Sequence, residues 1–120
     1  MCGGSVYSQN VLLTSDRNAK ERFAPVRPQE VLARVAALPV SEWNYKNDSA
    51  QTRHMGPMAQ DFRAAFSLNG PDDKHIASVD EAGVALAAIQ GLNEQLKEKQ
   101  KEIDELAAEV EELKKLVEKK

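Results

Sequence analysis

The last third of the chain carries a sustained heptad pattern, and it constrains the fold more than any other feature. From about residue 81 to residue 120, only Gly83 and Gly91 interrupt a run of good helix formers. With Ile89 at position a, the a sites are Ala82, Ile89, Leu96, Ile103, Val110 and Val117. The d sites are Ala85, Leu92, Lys99, Leu106, Leu113 and Lys120. Apolar residues alternating at spacings of three and four, flanked by Glu and Lys, specify a coiled coil. Each well-buried Ile, Val or Leu contributes about 1.5 to 3 kcal/mol, and the part of the chain preceding this helix is too small to cover so long a stripe. The seam formed by Ile89, Leu92, Leu96, Ile103, Leu106, Val110, Leu113 and Val117 is therefore expected to face copies of itself, and the competing expectation is a long helix folded back on the globular part. Lys99 breaks the seam, and its stem can lie along the seam while its ammonium reaches solvent or Glu102.

The rest of the 120 residues is enough for one small head. With 42% hydrophobic and 29% charged residues, the composition is that of a folded protein. No apolar run approaches the roughly 18 residues of a membrane span. The net charge is −3, with Lys and Arg scattered among acids, so there is no basic stripe for nucleic acid. Cys2 is the sole cysteine, which excludes an internal disulfide, and "MCGG" has no apolar leader after it. Cys2 is read as an inert terminal residue.

Periodicity divides the head. Residues 3–14 become apolar toward their end and are expected to form a short strand. "RPQEVLARVAALPV" places Pro28 at a first helical position, repeats Val31, Leu32, Val35 and Leu38 on one face, and stops at Pro39. "VSEWNYK" alternates so that Trp43 and Tyr45 share a strand face, as core packing rather than a ligand platform. "NDSAQTR" is a polar loop. "GPMAQDFRAAF" opens with Gly56-Pro57 and repeats Met58, Phe62, Ala65 and Phe66 as a second short helix. "SLNGPDDK" is a turn-rich loop, "HIASV" a short strand, and Asp80 the cap of the long helix. The fold class expected is α+β: a small globular head with short strands and two short helices, then a long C-terminal helix. Residues 1–13 are a lead-in segment, 14–80 the head and 81–120 the coil.

"TSDRNAKERF", residues 14–23, carries the candidate chemistry. Ser15 precedes Lys20 by five residues, with Asp16 between them. A serine hydroxyl becomes a nucleophile when a base takes its proton, and a lysine freed of its own proton can be that base. A spacing of five does not stack two side chains on a helix face, which needs three or four. The pair meets only if Ser15 lies at the non-helical entry to a turn that carries Lys20. The other reading is that Ser15 or Asp16 simply caps a helix. Neither His54 with His75 nor any acid cluster has metal spacing, so no metal or other cofactor is expected.

"SDRNAK", a helix, "LPVSEWNYK", "RHMGPMAQDF" and "HIASVDEAGVALAAIQGLNEQL" together resemble, in order and wording, the endosialidase-type C-terminal intramolecular chaperone domain of phage tail spikes and tail fibres, also found in some bacterial surface proteins. The resemblance runs from about residue 14 to about residue 96. It implies a trimer that assists trimerisation of a β-rich fibre upstream in the same polypeptide, then cuts itself off by serine-lysine autoproteolysis. It further implies Ser15 as nucleophile, Lys20 as base, Asp16 as the adjoining acid and Thr14-Ser15 as the bond cut. The family's "HxGxxAQ" signature falls on His54, Gly56, Ala59 and Gln60 as supporting positions. From the residues themselves, His54 is expected as a hydrogen-bonded structural histidine, Gly56 as a turn or tight-packing residue and Gln60 as a buried amide in a satisfied network. The resemblance places the protein in a virion tail fibre or on a bacterial surface.

Copy number is pulled two ways. β-branched residues at a with leucine at d lean toward a parallel dimer. Leu86 at an e site and Leu116 at a g site widen the apolar stripe, Ala107 at another e site permits closer approach of a third helix, and with the resemblance they favour a parallel trimer.

Overall fold

The structure is a computed structural model that describes residue 12 and residues 14–119. The strand expected over residues 3–14 and the terminal Cys2 lie outside the described residues. Helix α1 spans Pro28–Ala37, strands β1 and β2 span Ser41–Trp43 and His54–Gly56, helix α2 spans Ala59–Phe66, and helix α3 spans Ser78–Glu118. A 3-10 turn, Arg17–Ala19, precedes them. The fold is α+β, with no helix long and apolar enough to cross a membrane among the described residues.

α1 begins at Pro28, whose missing N–H is no loss in a first turn. It ends at Leu38, which is held extended by the proline that follows. Its half-buried positions are Pro28, Val31, Leu32 and Val35, and with Leu38 at the cap the last three make up the row read from the sequence. This face packs against the first part of α3, and the two helices run antiparallel. Pro28 lies over Gly91, Gln29 reaches Glu94 at 3.3 Å, and Val31 and Arg34 border one groove with Gly83 and Val84.

On α3 the covered positions are Val84, Ala87, Ala88 and Gly91, about a third of a turn round from the a/d seam at roughly 100° per residue. The helix thus has two apolar faces. One is occupied by α1. The other, from Leu86 and Ile89 to Leu113 and Val117, is open to solvent. The folding-back expected as an alternative is present, but it uses a different face and leaves the seam exposed. Lys99 Nζ sits 3.4 Å from Glu102 Oε2 on the helix surface.

β1 and β2 pair antiparallel, Ser41 opposite Gly56, Glu42 opposite Met55 and Trp43 opposite His54. Strand β2 falls at the junction of the expected polar loop, which ends at Arg53, and the helix segment expected from Gly56, where no strand was expected. Three residues are too few for alternation to show, and Pro57 holds Gly56 extended so that α2 starts only at Ala59. β1 stops at Trp43, which leaves Tyr45 beyond the sheet and 55% exposed rather than in a core. "HIASV" is not a strand. The hairpin gives it no third position to pair with, α3 already begins at Ser78, and Asp80 lies inside its first turn beside Glu81 rather than at the cap, which is Ala77. Both acids there suit the positive end of the helix.

Among the described residues only Phe62 and Ala88 are buried apolar side chains, at 4% and 6% exposure. Phe62 packs on Phe66, with ring centroids 5.0 Å apart. The chain extends 84 × 42 × 33 Å with a radius of gyration of 22.7 Å, against about 14 Å for a compact chain of this length.

Candidate functional site

The segment Thr14–Lys20 builds its geometry from one short turn. Asp16 is extended (φ −67°, ψ 127°) and caps the turn, its Oδ1 accepting from the Asn18 N–H at 2.9 Å. The Asp16 carbonyl accepts from the Ala19 N–H at 3.0 Å, and the Arg17 carbonyl accepts from the Lys20 N–H at 3.3 Å. Lys20 then returns to extended backbone (φ −118°, ψ 157°). Ser15 stands before the turn and Lys20 after it. Lys20 Nζ donates to Ser15 Oγ at 2.7 Å, a short contact for an amine and a hydroxyl. Both residues are exposed in the single chain. Arg22, two residues on, has φ +56°, a left-handed conformation that is uncommon outside glycine.

The two readings of this segment from the sequence therefore coexist: Asp16 caps, and Ser15 meets Lys20. Chemically the pair offers an acceptor amine beside a hydroxyl, once the amine has given up its proton, and removal from water favours the neutral form.

The signature residues lie elsewhere, on the hairpin and the start of α2. The His54 ring stacks on Trp43 with centroids 5.2 Å apart and planes 35° off parallel, and it also faces Tyr45 at 5.4 Å. Its Nε2 is 4.0 Å from Asp48 Oδ2, beyond hydrogen-bond distance, so among the described residues the ring is held by stacking and not by the hydrogen bond expected of it. Trp43 and Tyr45 meet edge to face at 4.9 Å. The Gly56 carbonyl accepts from the Trp43 indole N–H at 3.3 Å. The backbone of Gly56 is neither left-handed nor crowded, since a Cβ there would meet no atom within 4 Å. This corrects the expected turn or tight-packing role; Gly56 is a strand residue. Gln60, expected as a buried amide, is exposed in the first turn of α2, because in an eight-residue helix the face bearing Phe62, Ala65 and Phe66 alone points inward.

An open groove of about 680 Å³ runs between the hairpin, α2 and the start of α3, bordered by Trp43, Tyr45, Met55, Met58, Gln60 and Ile76. Neither Ser15 nor Lys20 borders it. The indole N–H of Trp43 is the contact the sequence reading missed; the alternation that put Trp43 on a strand gave no hint of its partner. No three His, Cys, Asp or Glu side chains converge as metal ligands among the described residues.

Residues 15–70 match the profile of a family, classed among the peptidases, that is described as chaperone of endosialidase. A search of curated proteins finds no match to the chain.

Proposed function

We propose, from the match of residues 15–70 to the family described as chaperone of endosialidase, that the chain drives the trimerisation and folding of a β-rich fibre or spike upstream in its own polypeptide and then releases itself by cutting at Thr14-Ser15. In this reading residues 1–13 are the end of that fibre, 14–80 the chaperone head and 81–120 the assembling helix. The observation that carries the chemistry is the 2.7 Å contact between Lys20 Nζ and Ser15 Oγ.

The neutral Lys20 amine takes the Ser15 Oγ proton as the oxygen attacks the carbonyl carbon of Thr14. The C–N bond breaks as Lys20 returns that proton to the Ser15 nitrogen, which leaves the Thr14 acyl group as an ester on Oγ. Water then cleaves the ester, giving a Thr14 carboxylate and restoring the hydroxyl on a Ser15 that now carries a free α-amine. The substrate is the same chain, so the effective concentration is very high and a modest nucleophile suffices. Each chain cuts once.

Assembly is supported by the open stripe on α3 and by the scarcity of buried apolar side chains among the described residues. Three parallel helices would cover Leu86 and Leu116 as well as the a and d sites. Glu109 at g and Lys114 at the following e set register between parallel chains more than they add strength. The dyad is exposed in one chain, so the desolvation that favours a neutral amine has to come from neighbouring copies, and cutting then reports correct assembly. Loss of the chaperone afterwards removes the template for refolding and leaves the fibre kinetically trapped.

The exposure of both dyad side chains also favours a second reading, a trimerisation cap that never cuts. The mass spectrum of the purified full chain separates the two. A fragment beginning at Ser15, absent when Ser15→Ala or Lys20→Ala is introduced while the oligomer persists, is the expected result. A wild-type chain that stays whole in the assembled state, or a Ser15→Ala chain still cut at Thr14-Ser15, would sink the autoproteolytic reading.

A further inference from the structure

A question left by the proposed Ser15–Lys20 chemistry, on which this inference rests, is what holds two exposed side chains five residues apart at hydrogen-bond distance. The 3-10 turn between them is three residues long and buries none of its side chains, so packing does not hold it. Three hydrogen bonds hold it, and two of them end on Asp16, whose carboxylate accepts from the Asn18 N–H and whose carbonyl accepts from the Ala19 N–H; the third runs from the Lys20 N–H to the Arg17 carbonyl. Among the described residues the Asp16 carboxylate forms no ion pair with Lys20, whose amine is directed to Ser15 Oγ. That division has a chemical sense. A carboxylate against the amine would favour the ammonium and oppose its use as a base, whereas a carboxylate turned onto a peptide N–H shapes the turn.

We propose that Asp16 is a positioning residue: its carboxylate caps the turn that carries Lys20 back to Ser15, and it acts through the geometry of that cap rather than through its charge. Asparagine caps as well as aspartate does, and alanine does not. The full chain with Asp16→Asn should therefore cut within about twofold of the parent, and Asp16→Ala about five- to tenfold more slowly, the loss expected when a turn forfeits its cap. Light scattering on each variant checks that the oligomer is unchanged.

A second measurement does not depend on cutting. In full chains that also carry Ser15→Ala, the amide-to-amide cross-relaxation between Asn18 and Ala19 that marks the turn should be present with Asp16 or Asp16→Asn and lost with Asp16→Ala. Asp16→Asn cutting as slowly as Asp16→Ala would show that the charge is what matters and overturn the proposal, as would a proton contact that survives Asp16→Ala. A parent chain that never cuts would remove the autoproteolysis, and the proton contact would still decide the role of Asp16.

Discussion

Gly83 and Gly91 lie on the same helix and differ in what they tolerate. A Cβ on Gly91 would overlap the Pro28 carbonyl oxygen and stand 2.7 Å from its carbon, both backbone atoms, so the start of α1 would have to move away. Gly91→Ala should destabilise by about 1 to 3 kcal/mol, the usual range for overpacking. A Cβ on Gly83 meets nothing within 4 Å, and Gly83→Ala should stabilise by about 0.5 to 1 kcal/mol through helix propensity alone. Urea midpoints measured on the two variants should move in opposite directions; a neutral Gly91→Ala would mean that α1 does not seat against α3 as described. In the loop after α2, Asp72 is held below the ordinary carboxylate range, first by the Lys74 N–H at 2.8 Å and then by the His75 ring at 3.0 Å. A carboxyl depressed by folding stabilises above its unfolded value and loses that contribution as the pH falls through its folded value. The loop should therefore be fully held at neutral pH and loosen in acid, below about pH 4. The Lys74 amide resonance followed through an acid titration checks this, and Asp72→Asn should remove the step.

At the scale of elements, α3 is one helix with two tasks. Its first part offers small residues, Ala87, Ala88 and Gly91, which let α1 approach closely, while its a/d face stays open along the whole length. Charges placed in that open face probe assembly without touching the α1 contact. Leu106→Asp with Leu113→Asp should abolish association, because a charge buried without a partner costs several kcal/mol. The same double variant should fail to cut at Thr14-Ser15 if cutting requires neighbouring copies. Sedimentation and mass spectrometry on one preparation read both outcomes, and a monomer that cuts at the parental rate would break the link between assembly and chemistry. The hairpin illustrates the opposite dependence. β2 has three residues and no pattern of its own, and it is defined by β1 across from it and by the Trp43 N–H on the Gly56 carbonyl.

For the whole molecule, the extended shape and the almost absent core set the expectation. Two buried apolar side chains among the described residues are far from enough to offset the conformational entropy of ordering a chain of this length. The stability of the fold should therefore depend on concentration, with Tm rising as protein is added, since association binds the folded state only. Light scattering should give about three times the 13.3 kDa chain mass. A stable mass of two chains would favour the dimer geometry and remove the three-fold arrangement around the Ser15 segments. A Tm independent of concentration down to the monomer would mean that the head is stable without its copies.

What the sequence determined by itself are the features carried by local pattern: the long helix and its heptad seam, the inward row of α1 with its proline boundaries, and the Ser15, Asp16 and Lys20 spacing. Such features need only nearest neighbours along the chain, because helical periodicity, proline stereochemistry and turn geometry are properties of short segments. Tertiary structure decided the rest. β2, the exposure of Tyr45 and Gln60, and the failure of "HIASV" to become a strand all depend on which partner is available across space. So does the second face of α3, since nothing in the spacing of Val84, Ala88 and Gly91 announces that α1 will lie there. Within the dyad the boundary runs between two neighbouring facts. The residue types and their interval were legible, but that Lys20 reaches Ser15 at 2.7 Å required the turn capped by Asp16, and three-residue turns leave no periodic trace in a sequence.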